Sequence, residues 1–151
     1  MPGNLPDPTS IVALLLFLSL APFLAILTTS YIKIVVVLSL VRNALGIQQI
    51  PPNMVINGLA IILTFYIMAP VAQDTFAIME QENASLTDVK SFVEVVDKAK
   101  LPLVDFMKKF ANSRERSFFA QTAKVLWPED KAKALENDDQ MVLVPAFTVS
   151  E

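Results

Sequence analysis

Two apolar runs, residues 11–41 and 54–72, limit what this chain can become more than any other feature. The first 74 residues carry four charges, Asp7, Lys33, Arg42 and Asp74, whereas the remaining 77 carry twenty-three. The front half asks for hydrocarbon or buried protein, and the back half asks for water. As a single helix the first run would reach roughly 46 Å against a hydrocarbon thickness of about 30 Å, so it must tilt, bend or project. Pro22 supplies the expected kink, because it removes a backbone donor and crowds the preceding turn. Thr28, Thr29 and Ser30 can return hydrogen bonds to the backbone or to a neighbouring helix. The second run reaches about 28 Å, close to the bilayer core. Asn57, Gly58 and Thr64 interrupt its apolar surface on a side that reads as a helix contact, and Pro70 weakens its far end.

A secretory signal peptide competes for the first run, but it needs a basic flank and a short apolar core. Residues 1–10 contain Asp7 and no Lys or Arg, and the run is far longer than such a core, so retention is expected. Lys33 and Arg42 both lie toward the connector between the runs. The positive-inside bias then places connector 42–53 on the cytoplasmic side, with the flank 1–10 and everything after Asp74 outside. Lys33 itself has two readings, snorkelling to the headgroups or burial in an assembly, and its depth in so long a run leaves both open.

From 74 to 140 the pattern is soluble and helical. Ser85 or Thr87 offers a helix cap, followed by a stripe of Val89, Phe92, Val93 and Val96. Pro102 suits the first turn of a second helix with Leu103 or Val104, Phe106, Met107 and Phe110 on its apolar side. Asn112 or Ser113 opens a third, with Phe118, Phe119, Val125 and Leu126 as its expected buried face and Pro128 as its stop. Asn137, Asp138 and Asp139 form a polar break, after which residues 141–151 begin a third hydrophobic segment. No sustained period-2 alternation competes, so the fold class is all-α: an N-terminal hydrophobic helical hairpin followed by a small helical extracytoplasmic region.

Composition excludes much chemistry. The chain has no histidine and no cysteine, which removes the commonest general base, the thiolate nucleophile and thiolate metal sites. Three glycines are too few for a phosphate-cradling loop. Glu129-Asp130 and Asp138-Asp139 are adjacent carboxylates that point apart and read as solvated surface. Net charge is −3 with both signs intermingled, so there is no nucleic-acid footprint. The expectation is a non-enzyme with no cofactor and no metal.

The connector is too particular for a generic turn. Arg42-Asn43-Ala44-Leu45-Gly46 is followed by Gln48-Gln49 and Pro51-Pro52-Asn53. Around it stand Thr29-Ser30-Tyr31 with Lys33, Gly58-Leu59-Ala60, Met68-Ala69-Pro70-Val71, Leu126-Trp127-Pro128 and Pro145-Ala146-Phe147 with Ser150-Glu151. From about residue 10 onward the chain resembles the FliP/SctR-type (YscR/HrcR-like) export-apparatus subunits of bacterial type III secretion, and its connector looks more like the injectisome branch than the flagellar one.

The resemblance implies a bacterial inner-membrane protein assembling as a ring of about five copies with two smaller membrane subunits. Such a ring is the portal through which unfolded secretion substrates pass, with residues 74–140 on the periplasmic side. It sits largely above the bilayer plane, so that its apolar helices pack partly on each other. The family continues after Pro-Ala-Phe with two further hydrophobic helices and a methionine-rich constriction, so this chain is expected to be C-terminally incomplete and not to conduct alone. Lys33, Arg42, Asn43, Gly46, Gln48, Gln49, Pro51, Pro52, Asn53, Gly58, Pro70, Trp127 and Pro128 are then expected as assembly or structural positions. Arg42, Gln48 and Gln49 act in this reading as packing and hydrogen-bonding groups rather than substrate readers. Phe106, Phe110, Phe118 and Phe119 are expected to hold the extracytoplasmic helices together or against a neighbouring copy. A different class also fits the composition: a membrane-anchored helical module whose two spans tether a periplasmic binding domain. A small ion transporter is a third reading, supported by just one possible intramembrane charge.

Overall fold

The structure, a computed structural model, describes residues 8–47, 50–82, 89–135 and 139–150. Gln48, Gln49, the proposed caps Ser85 and Thr87, the break at Asn137 and Asp138, and residues 1–7 lie outside them. Among the described residues there are eight helices and no strand, so the all-α expectation holds.

The first apolar run is two helices, α1 (Pro8–Thr28) and α2 (Tyr31–Ala44). The interruption falls at Thr29 and Ser30, not at Pro22, which lies inside α1. At the break the Tyr31 amide turns to the Thr29 hydroxyl, 3.5 Å away, a local side-chain partner that competes with the helical ladder. Thr28 and Thr29 also donate to the carbonyls of Leu24 and Ala25, each at 2.6 Å. At its other end α2 closes with the Leu45 amide on the Val41 carbonyl at 3.0 Å. Gly46 then adopts φ 67°, the left-handed conformation that stops helices and favours glycine.

Helix α3 (Asn53–Gln81) begins after Pro52 and continues nine residues past the apolar run that ends at 72, with Pro70 in its interior. Ile56, Ala60 and Met68, buried four and then eight residues apart, form its packing seam, and Thr64 on the same line donates to the Ala60 carbonyl at 2.6 Å. Asn57, expected on the contact side, is exposed because it sits one position off that line. Helices α2 and α3 pack as a hairpin. Apolar helices of the length of α1 and α3 would be mostly covered in the core of a soluble protein. Here 6% of the span Ile11–Thr28 and 11% of Asn53–Gln81 is buried. Those helices need another apolar environment, which a membrane or neighbouring subunits supply.

The remaining helices are α4 (Val89–Ala99), α5 (Leu101–Phe110), α6 (Ser113–Leu126), α7 (Glu129–Lys133) and α8 (Gln140–Val149). Asn112 caps α6 by accepting the Arg114 amide, Asp139 caps α8 by accepting that of Met141, and Pro102 stands in the first turn of α5. Two clusters make the core. Val104, Met107, Ala111, Leu143 and Phe147 form one; Ala120, Leu135 and Val142 form the other, with Phe119, Ala123 and Trp127 against it.

The expected buried stripes need correction. In α4 Val95 and Ala99 are buried while Val93 faces out. In α6 the buried face is Ala120, flanked by Phe119 and Ala123, whereas Phe118, Val125 and Leu126 are exposed. Small residues let α6 approach α8 closely, and that contact turns the larger side chains outward. Of residues 141–151, read as the opening of a third hydrophobic segment, those up to Val149 belong to α8. It is the most deeply buried element, with Leu143 and Ala146 at 0% exposure.

Candidate assembly site

Arg42 lies in the last turn of α2, where its charge faces the negative end of the helix. Its guanidinium crosses the connector and donates to the Asn53 side-chain oxygen at 2.6 Å and to the Pro51 carbonyl at 3.4 Å. The connector is thereby closed by a side-chain clamp, with Pro51 and Pro52 restricting the backbone it grips. The sequence-predicted residues Arg42, Pro51 and Asn53 are therefore brought together, with Gly46 and Asn43 forming the turn before them.

Lys33 does not join that group. It sits in the first turn of α2, where its ammonium donates to the Ser150 carbonyl at the end of α8 and lies 4.6 Å from the centre of the Phe147 ring. Neither sequence reading, snorkelling to the headgroups or burial in an assembly, named this contact within the chain. Ser150 also accepts the Asn112 amide at 2.9 Å, and Thr148 donates to the Leu27 carbonyl at 3.2 Å. Asn112 was foreseen only as a cap, and Phe147 and Ser150 only as parts of a motif. Nothing in a one-dimensional pattern pairs a lysine with a carbonyl 117 residues away.

The linear pattern and this geometry can be set beside known proteins. Residues 14–151 match the FliP family. The chain belongs to that family. It is 45% identical over 148 residues to Yop proteins translocation protein R of Yersinia pestis, covering 98% of this chain and 68% of that protein. It is 44% identical over 147 residues to hypersensitivity response secretion protein HrcR of Ralstonia nicotianae, covering 94% and 66%. Flagellar biosynthetic protein FliP of Bacillus subtilis is 39% identical over 152 residues, with 99% and 65% covered. The resemblance read from the connector is thus correct, and the chain is a type III secretion export-apparatus component of the FliP family, a membrane protein that works with other export components.

In this FliP-family chain the remaining predicted positions divide between two places. Gly58 lies on α3, and a methyl group added there would meet nothing within 4 Å, so no contact inside the chain requires glycine. Pro70 is exposed on the same helix. A cleft of about 670 Å³ opens between the end of α1 and α3, lined by apolar side chains such as Ile26, Phe65, Met68 and Phe76. Trp127 caps α6 in an extended conformation ahead of Pro128, as the residue before proline prefers, and packs on the Ala120 cluster. Phe106 stands edge-on to Phe147 at 5.7 Å and beside Phe110 at 4.9 Å, while Phe118 and Phe119 contact each other at 5.4 Å. Phe110 and Phe118 are about half exposed, with the Lys109 ammonium over the Phe110 ring at 5.6 Å. Among the described residues no group of carboxylates is arranged to hold a metal ion.

Proposed function

We propose that this chain is a subunit of the type III secretion export gate, in which several copies and smaller membrane subunits form the channel for unfolded proteins across the bacterial inner membrane. The observation that carries this reading is the bare apolar surface of α1 and α3, in a chain whose relatives are named for translocation and secretion. Two span-length helices with about nine-tenths of their apolar stretch not buried are built to be completed by lipid and by other subunits. In this proposal the Arg42 connector faces the cytoplasm and residues 74–140 face the periplasm, as the positions of Lys33 and Arg42 suggest. In this proposal Gln48 and Gln49, which belong to the same connector sequence, fix subunit register, since an amide left without a partner in an interface costs about 1–3 kcal/mol.

Mass measurement of the full-length protein, released in mild detergent with its partners, tests the assembly. The expected result is a large multi-copy complex that retains smaller membrane subunits, with lower yield when Gln48 and Gln49 are both replaced by Ala. A protein that purifies alone as a monomer or dimer would instead support a membrane-anchored tether.

A further inference from the structure

Three parts of the molecule meet at Ser150. Its carbonyl belongs to the C-cap of α8, just past the last helical residue, and it receives the Lys33 ammonium from the first turn of α2. Its hydroxyl accepts the Asn112 amide from the junction of α5 and α6 and donates to the Ala146 carbonyl at 2.6 Å. Two residues earlier on α8, Thr148 donates its hydroxyl to the Leu27 carbonyl at the end of α1. Both ends of the α1–α2 break are therefore tied to a single short helix, α8.

The chemistry suits an apolar setting. A lysine ammonium and a carbonyl at a helix end are each costly to leave without a partner there, and here the one donates to the other. The negative end of α8 attracts the cation, and the Phe147 ring, 1% exposed, presents its face to it. A lysine whose only task was to reach the headgroups would need none of these partners.

We infer that Lys33 is a positioning residue: it holds the C-terminal end of α8 against the α1–α2 break and so fixes how the apolar hairpin sits relative to the α5–α6 junction. The joint is a property of the single chain and stands whether or not the export-gate assembly forms as proposed.

The test uses the full-length protein in detergent with Leu27→Cys and Thr148→Cys, read by the rate of bridging with a short bis-thiosulfonate; these 151 residues contain no competing cysteine. Lys33→Met is expected to slow bridging about tenfold, the scale of a hydrogen bond to a charged group, while Lys33→Arg restores it to within about twofold. Hydrogen exchange supplies the second measurement on the same variants. Lys33→Met should raise exchange at Asn112 and at the end of α8 while amides around Met107 stay protected. Unchanged bridging in Lys33→Met overturns the inference. So does a loss of protection spread evenly over the molecule, which would mark Lys33 as a general stability residue.

Discussion

At the scale of single residues, Arg42 and Asn53 show how a linear motif acquires a physical purpose. An arginine at a helix end is ordinary, but this one reaches eleven residues along the chain to grip the residue that opens α3. Replacing Asn53 with Ala should lower unfolding stability by about 1 kcal/mol, whereas Asn53→Asp, which keeps an acceptor and adds charge, should preserve it. Thermal unfolding in detergent separates the two, and equal losses would count against the clamp. Gly58 makes a sharper case. Among the described residues nothing occupies the space a methyl would take, and alanine is the better helix former by about 1 kcal/mol. Gly58→Ala should therefore stabilise the isolated chain and, if a neighbouring helix approaches closely in the assembly, reduce complex yield on native gels. A variant with both stability and assembly unchanged would show that the glycine has neither role.

Helices were legible in the sequence to different depths. The apolar runs, the Pro102 start, the Asn112 cap and the stop before Pro128 all follow from local rules, because the deciding interactions lie within one turn. The break at Thr29 and Ser30 was not legible as a break: proline at 22 advertises a defect more loudly than three hydroxyls, yet the helix tolerates the proline and ends at the hydroxyls. Which side of α6 is buried also escaped the linear reading. Phe118, Val125 and Leu126 outweigh Ala120 in hydrophobicity, but burial depended on which side could approach α8. These two classes of apolar residue should respond oppositely to mutation. Leu143→Ala, at 0% exposure, should destabilise the fold by about 2–5 kcal/mol in denaturant unfolding. Phe118→Asp should leave the fold of the single chain intact while lowering the yield of the multi-copy complex, because its ring is exposed until a neighbour covers it. Unfolding of the single chain by Phe118→Asp would place that ring in the core after all.

For the whole molecule, the division between an apolar front and a charged rear holds along the sequence but not completely in space. Phe17, well inside the apolar span of α1, meets Phe92 of α4 edge-on at 5.9 Å, and α3 packs against both α4 and α5. Charged helices thus lie alongside helices long enough to cross a bilayer, a geometry compatible with hairpin helices that rise partly out of the membrane. Trp127 measures where the boundary falls. It is the chain's single tryptophan, it is half-buried in the cluster of α6 and α8, and its emission reports one location without ambiguity. If α6 stands in water beyond the membrane, lipids brominated along their acyl chains should leave Trp127 emission nearly unchanged, and aqueous iodide should quench it partially, as its intermediate exposure dictates. Strong quenching by the acyl bromines with none by iodide would sink the rear helices into hydrocarbon. That outcome would conflict with the exposed charges of α6 and α7, since Arg114, Lys124, Glu129 and Lys131 would all lose their water.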